Sequence, residues 1–160
     1  MSTVYLSLGS NIDARSNICS GIEALETSFG SVGLSPVYRA AAVGFEGKDF
    51  INLVARIETT MTPVELKDFL TRLEDRHDRN RDAPKFSDRT LDIDILLYDD
   101  LVLYSPAVQI PRDEILEAAY VLRPLAELAP GVVHPAERVT LAELWREFPK
   151  KQDTLEAIRL

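Results

Sequence analysis

The order of strand-like and helix-like patterns along the 160-residue chain constrains its fold more than any other feature. Two segments with apolar residues at helical spacing are separated by extended segments that favour strands. The predicted elements are a strand at Thr3–Leu8, a helix at Asp13–Phe29, strands at Val32–Arg39 and Phe50–Thr59, a helix that begins after Thr62, and a strand around Asp92 and Asp94. This order predicts an α+β fold: a ferredoxin-like βαββαβ antiparallel sheet with both helices packed on one face.

Local signals refine these elements. Thr62 and Glu65, with Pro63 between them, are spaced as a capping box at the start of the second helix. Pro36 lacks a backbone N–H, so we expect its segment to lie at a sheet edge. The run Leu101–Ser105 is expected to pair back as a hairpin strand. Beyond it, the segments "AYVLRPLAEL" and "TLAELWREF" predict a C-terminal helical extension.

Composition favours a soluble protein that does not bind nucleic acid. Residues 1–160 are 46% hydrophobic and 28% charged, with no internal linker, so a single domain is expected. The net charge of −8 argues against a general affinity for nucleic acid. The single cysteine, Cys19, fits a reducing compartment, and no stretch approaches the ~20 apolar residues of a membrane span. Without a secretion signal or an evident apolar seam, we expect a cytoplasmic monomer.

Two acidic residues, Asp92 and Asp94, interrupt an otherwise apolar strand. Residues i and i+2 of a strand share a face, so the two carboxylates should stand side by side. Such a pair resists desolvation unless a positive charge accompanies it. Three interpretations remain open: a solvated strand face, an ion pair with Arg89 or Arg81, or a site for a hard cation such as Mg²⁺.

The segment Arg72–Arg89 is the candidate anion-binding region. It contains five arginines and one lysine against five acidic residues, whereas the rest of the chain is strongly acidic. Arg79, Arg81, Lys85 and Arg89 could hold phosphate groups beside a metal bound by the aspartates. These parts together suggest phosphoryl transfer, in which positioning and charge neutralisation dominate. No Walker-type phosphate loop is present in the sequence.

Five segments in the same order resemble the 6-hydroxymethyl-7,8-dihydropterin pyrophosphokinase family of the folate pathway. They are "YLSLGSN", "DFIN", "RLEDRHDRNR", "DRTLDIDILLY" and "YVLRPLAELAP". The resemblance extends over roughly Val4 to Pro135, which is most of the chain. It implies a ferredoxin-like α+β fold and transfer of the pyrophosphoryl group of ATP to the pterin hydroxymethyl oxygen, with release of AMP.

The resemblance also assigns roles to residues. Asp92 and Asp94 would bind two Mg²⁺ ions that bridge the ATP phosphates, and with Arg79 and Arg89 they form the expected catalytic set. The expected ATP-binding residues are Glu74, Arg79, Arg81, Lys85, Arg89, Ile95, Gln109 and Arg112. Phe50 and Tyr120 occupy the positions whose rings sandwich the pterin. Asn52 would hydrogen-bond the pterin edge, and Gly44 would lie beside it.

Several positions differ from the usual family pattern, and other functions remain open. Ser87-Asp88 precedes the signature arginine, where a small residue or proline is usual, while Arg112 replaces a histidine. Ala118 replaces an arginine and Ala40 a threonine. The alternatives are a divergent paralogue that binds or modifies another pterin, and a ligand-binding ferredoxin-like module without catalysis. A ferredoxin-like nucleic-acid binder would need a basic sheet face, which the acidic composition opposes.

Overall fold

The computed structural model describes residues 1–42, 45–78, 88–149 and 155–160. The described strands are β1 (Ser2–Ser10), β2 (Gly33–Leu34), β3 (Val37–Ala40), β4 (Phe50–Thr59), β5 (Asp92–Tyr98), β6 (Leu103–Tyr104), β7 (Gln109–Ile110) and β8 (Glu156–Ile158). The described helices are α1 (Ala14–Phe29), α2 (Pro63–Asp75), α3 (Glu114–Glu117), α4 (Ala119–Leu128) and α5 (Leu141–Arg146). Among these elements, no helix is long and apolar enough to cross a membrane.

The main sheet is antiparallel, and helices cover both of its faces. Its strands are ordered β5-β1-β4-β3-β8, and β2 pairs with β4 on the side that β3 also occupies. Residues such as Leu6 and Ile57 pack with α1 and α2 in one core. Tyr5 and Val54 face the other way and pack with α4 and α5 in a second core. The predicted antiparallel α+β architecture is confirmed, and the C-terminal helices pack on the face opposite α1 and α2.

The start of α2 follows the predicted capping box. Glu65 N donates to Thr62 Oγ1 at 3.2 Å, and Thr62 N donates to Glu65 Oε1 at 2.9 Å. Two backbone donors that the helix leaves unpaired are thereby satisfied. Leu66, Leu70 and Leu73 lie on one face of α2, at helical spacing, and pack in the first core. This helix consequently ends close to β5, the strand that carries the aspartates.

The predicted edge position of Val32–Arg39 is half right, whereas the predicted pairing of Leu101–Ser105 is wrong. The first segment is divided at Pro36 into β2, which pairs with β4 alone, and β3, which lies between β4 and β8. Ser35 bridges the break, since its backbone N–H donates to Val54 O at 2.9 Å and its hydroxyl accepts from Val54 N at 2.8 Å. The run Leu101–Ser105 forms a hairpin with the later strand β7, not with β5.

The pairing of β5 with β1 contains one irregularity. Tyr5 lies opposite Leu97 but Leu6 lies opposite Ile95, so Leu96 is an extra residue in β5. Both Leu96 and Leu97 consequently belong to the second core. The start of β5 remains in register with β1, and that is the part of the strand that carries the polar residues.

Candidate active site

One face at the start of β5 carries the two aspartates singled out from the sequence. Asp92 and Asp94 alternate with Ile93 and Ile95, which are buried in the core beneath α1 and α2. The aspartates therefore project from the opposite face, as the pleat of a strand requires. This is the arrangement that the sequence predicts, with both carboxylates on the same face.

A row of polar residues crosses the sheet next to Asp92. Asp92 pairs with Gly9 on β1, and Gly9 pairs with Asn52 on β4. A Cβ atom at Gly9 would lie 3.0 Å from Asn52 Oδ1, so the absence of a side chain makes room for the amide. Asn52 is buried, and its Nδ2 has no hydrogen-bond partner among the described residues. A buried amide donor needs an acceptor, and a bound ligand could provide it.

The carboxyl group of Asp94 is poorly compensated. Its side chain is 16% exposed, and its Oδ2 lies 3.7 Å from Arg112 Nη2. Burial and the neighbouring charge of Asp92 raise the pKa of Asp94 to about 7, although Arg112 acts in the opposite direction. The shift means that the charge of the nearby guanidinium does not offset the cost of ionising this buried group. Among the described residues, Arg112 therefore offsets only part of the cost of ionising Asp94.

Arg112 is held in place by its backbone and by its side chain. Its N–H donates to Leu96 O at 3.0 Å, which attaches it to the outer edge of β5. Its Nε donates to Glu114 Oε1 at 2.8 Å, and the other oxygen of Glu114 accepts from Tyr120 OH at 3.4 Å. Burial opposes the charged guanidinium, but the carboxylates of Asp94 and Glu114 raise the pKa of Arg112. Arg112 therefore remains a cation beside the aspartate pair.

Arg89 lies in a segment that Asn11 fastens to the end of β1. Asn11, only 3% exposed, accepts from Arg89 N at 2.8 Å and donates to Asp88 Oδ1 at 2.7 Å. The same amide donates to Lys48 O at 3.0 Å, so it joins the segment before β4 to the segment before β5. The additional negative charge of Asp88 is accordingly engaged by an amide. The Asn of the "GSN" motif signals the end of β1 in the sequence, but its bridging role requires the tertiary structure.

Other residues predicted to bind ATP have structural contacts. Glu74 is 2% exposed, and its Oε2 accepts from the N–H of Ile93, between the two aspartates. Ile95 is buried in the first core. Gln109 is exposed on β7 and donates to Asp113 Oδ2 at 3.0 Å. Their contacts with nucleotide remain predictions.

The remaining predicted residues divide into described and undescribed positions. Phe50 begins β4 and contacts Phe45 edge-to-face, with ring centroids 6.4 Å apart. Tyr120 is half-buried beside the second core. Their stacking on a pterin stays a prediction. Four further predicted residues, Gly44, Arg79, Arg81 and Lys85, lie outside the described residues.

A polar groove lies elsewhere, between α1 and the end of α2. It has a volume of about 480 Å³ and is lined partly by Ser20, Thr27 and His77. The imidazole of His77 bridges Ser20 Oγ and Leu73 O, each at 2.8 Å. None of the described residues that were predicted to bind substrate lines this groove. The aspartate face of the sheet is therefore the better candidate for the active site.

Comparison with known proteins decides the family. Residues 5–130 match the model of the family described as 7,8-dihydro-6-hydroxymethylpterin-pyrophosphokinase (HPPK). The chain belongs to the HPPK family. The match includes the aspartate pair, Arg89, Arg112 and Tyr120, so the candidate site lies within the family region. The resemblance seen in the sequence motifs is thereby confirmed.

Similar HPPK proteins occur in several bacteria. The chain is 37% identical over 145 residues to the 2-amino-4-hydroxy-6-hydroxymethyldihydropteridine pyrophosphokinase of Aquifex aeolicus, covering 89% of this chain and 90% of the relative. It is 36% identical over 139 residues to the protein of the same name from Pseudomonas aeruginosa, covering 84% of this chain and 85% of that one. The similarity therefore extends over most of both proteins in each comparison.

Solved structures agree in fold. The crystal structure of Plasmodium falciparum HPPK-DHPS wild type with pteroate superimposes with a TM-score of 0.72 at 13% sequence identity. The superposition covers 99% of this chain but only 46% of the longer Plasmodium chain. At this low identity the likeness supports the fold alone. It agrees with the HPPK assignment made from sequence.

Proposed function

We propose that the protein transfers the pyrophosphoryl group of ATP to the hydroxymethyl oxygen of 6-hydroxymethyl-7,8-dihydropterin and releases AMP. The family match supports the reaction class. The observation that carries the proposal is geometric: Asp92 and Asp94 project from one face of β5, and Asp94 Oδ2 lies 3.7 Å from Arg112 Nη2. Two adjacent carboxylates beside an arginine can bind a divalent cation, as a kinase bound to a metal–nucleotide complex requires.

The donor set fits Mg²⁺ that is bound together with nucleotide. Asp92 and Asp94 offer only oxygen ligands, and the described residues contain no group of three or more ligating side chains that could hold a metal alone. Mg²⁺ is usually held by one or two carboxylates, with substrate phosphates and water as further ligands. Two Mg²⁺ ions on this pair would neutralise phosphate charge during transfer.

The pterin half of the site would lie across β1 and β4. Asn52 offers an unpaired Nδ2 donor beside Gly9, and a pterin rim carries hydrogen-bond acceptors for such a donor. Phe50 and Tyr120 would pack on the flat faces of the ring, where burial of apolar surface contributes most. The sequence of β4 thus supplies a ring and an amide two residues apart, on the face shared with the aspartates.

The chemical step is a substitution at the β-phosphorus of ATP. The hydroxymethyl oxygen forms a bond to this phosphorus, and the bond from the phosphorus to the α,β-bridging oxygen breaks. AMP leaves with the electron pair of that bond, and the hydroxyl proton passes to solvent. Arg89 and Arg112 would orient the phosphate oxygens and neutralise their charge. A loose transition state needs little removal of the proton before the phosphorus–oxygen bond cleaves.

The direct test is a product assay. The purified protein is incubated with ATP, Mg²⁺ and 6-hydroxymethyl-7,8-dihydropterin, and AMP and the pterin diphosphate are quantified by chromatography. Equal amounts of both products are expected from the wild type. Asp94→Ala should reduce turnover at least 1000-fold, whereas Asp100→Ala, in an exposed turn after β5, should leave it unchanged. Pterin binding without AMP formation by the wild type would instead indicate a different reaction or a binding function.

A further inference from the structure

Glu114 is a charged residue to which the sequence assigns no role, yet it contacts both halves of the candidate site. Its Oε1 accepts from Arg112 Nε at 2.8 Å, and its Oε2 accepts from Tyr120 OH at 3.4 Å. Arg112 in turn lies 3.7 Å from Asp94 on the metal side of the site. The contacts form a continuous path from Asp94 through Arg112 and Glu114 to Tyr120.

The first arm of this path restricts a flexible cation. An arginine side chain has many rotamers, and only its backbone is otherwise tied to β5, by the N–H of Arg112 to Leu96 O. The short bond from Nε to Glu114 is charge-assisted and directs the Nη2 group toward Asp94. Without Glu114, the guanidinium would lose the contact that sets its orientation beside the carboxylate pair.

The second arm restricts an aromatic ring. Burial and the carboxylate of Glu114 raise the pKa of Tyr120 to about 12, so the phenol keeps its proton and acts as a donor. The hydrogen bond from Tyr120 OH to Glu114 limits rotation of the tyrosine side chain. Because the ring is already restricted, it loses less conformational entropy when it stacks on a ligand. The same carboxylate therefore influences the pterin side.

We propose that Glu114 is a positioning residue that orients Arg112 for the nucleotide phosphates and Tyr120 for the pterin, so that one side chain supports both substrates. The proposal rests on the proposed transferase function. Glu114 itself touches neither reacting atom, and its effect passes through the two side chains it binds. Removing the Glu114 carboxylate should therefore cause part of the loss of substrate affinity that follows from changing Arg112 or Tyr120.

The test measures binding of each substrate separately by calorimetry. Nucleotide affinity is measured with Mg²⁺ and α,β-methylene-ATP, which lacks the scissile oxygen bridge. Pterin affinity is measured with that nucleotide saturating for each variant. Glu114→Ala should weaken both affinities about 5- to 20-fold. Arg112→Ala should weaken mainly nucleotide binding, and Tyr120→Phe mainly pterin binding.

Two comparisons separate positioning from general damage to the fold. Tyr120→Phe should cause no additional loss of pterin affinity when Glu114 is already alanine, because the hydroxyl acts through Glu114. Glu114→Gln keeps an oxygen toward Arg112 and should recover most nucleotide affinity. Glu117→Ala, an exposed residue on the same short helix, is the matched control and should bind both substrates like the wild type.

A metal-free measurement tests the central contact directly. In the protein without nucleotide or Mg²⁺, the Nε–H proton of Arg112 should exchange with solvent at least 10-fold faster in Glu114→Ala than in wild type, as followed by ¹⁵N NMR. Unchanged exchange and unchanged affinities in Glu114→Ala, with an active wild type, would overturn the positioning role alone. A wild type that forms no AMP would refute the transferase function, and the positioning role with it.

Discussion

Replacing Asp94 with asparagine should stabilise the metal-free protein at pH 8, although we propose that this residue is needed for activity. Burial and Asp92 raise the pKa of this carboxyl from 3.8 to about 7 in the folded protein. Below about pH 4 the group is protonated in both folded and unfolded chains and costs nothing. Above pH 7 it is ionised in both, and the folded state carries the penalty.

The size of the effect follows from the shift. About three pKa units at 1.36 kcal/mol each correspond to at most about 4 kcal/mol of lost stability at pH 8. Asparagine has nearly the same shape and does not ionise, so the variant should be about 2–4 kcal/mol more stable there. For a chain of this size that is a rise in Tm of about 4–16 °C. The difference should shrink steadily toward pH 4.5.

Urea unfolding in EDTA at pH 4.5, 6 and 8 measures this difference, with Asp100→Asn as the exposed control. Addition of Mg²⁺ and α,β-methylene-ATP should reverse the order, because only the wild type gains the full binding free energy of the complex. A stability difference that does not change with pH, or a wild type more stable than the variant at pH 8 without metal, would refute the reasoning about Asp94.

Three further substitutions test individual contacts. Asn11→Ala removes the buried amide between two loop segments and should lower the free energy of unfolding by about 2–4 kcal/mol in urea denaturation; no loss would contradict the bridging role. Gly9→Ala places a methyl group 3.0 Å from Asn52 Oδ1 and should weaken pterin binding about 10-fold by calorimetry, whereas Gly131→Ala, in open space, should not. Glu74→Ala leaves a buried N–H of β5 without its carboxylate acceptor and should cost about 1–3 kcal/mol in thermal unfolding; an unchanged Tm would show that the bond contributes little.

The parts of the fold that depend on local sequence pattern could be predicted. Period-two and helical spacing locate β1, α1, β4, α2 and β5 to within a few residues, and the Thr62–Glu65 capping box marks the start of α2. The same alternation places Asp92 and Asp94 on one face. The family could be predicted because its motifs are distributed over most of the chain, and the family match extends over residues 5–130.

Features that depend on distant pairing could not be predicted. The three residues of β8 have no strand signal of their own and become a strand by pairing with β3. We expected Leu101–Ser105 to pair with the preceding strand, β5. It pairs instead with β7, a strand that comes later in the chain. The contacts of Asn11 are with residues far along the chain, and those of Glu114 are with residues on either side of it in a turn and a helix. The periodic spacing of apolar residues does not predict such contacts.

Several predictions remain to be tested. They include a monomeric state, a cytoplasmic location, a single domain over residues 1–160 and the individual contacts with ATP and pterin. Arg112 illustrates why site roles need structure as well as sequence. The exchange of histidine for arginine at this position could be recognised from the motif, but its ion pair with Asp94 and its bond to Glu114 could not.

The extra residue in β5, Leu96, connects the sheet to the candidate site. Deleting this residue should therefore affect the site more than the pairing of the sheet. Leu96 has no counterpart on β1, yet its carbonyl receives the N–H of Arg112. Without Leu96, β5 and β1 would pair in a continuous register. The backbone N–H of Arg112 would then lose its acceptor on β5. The irregular residue in β5 thus provides the backbone acceptor that attaches Arg112 to this strand.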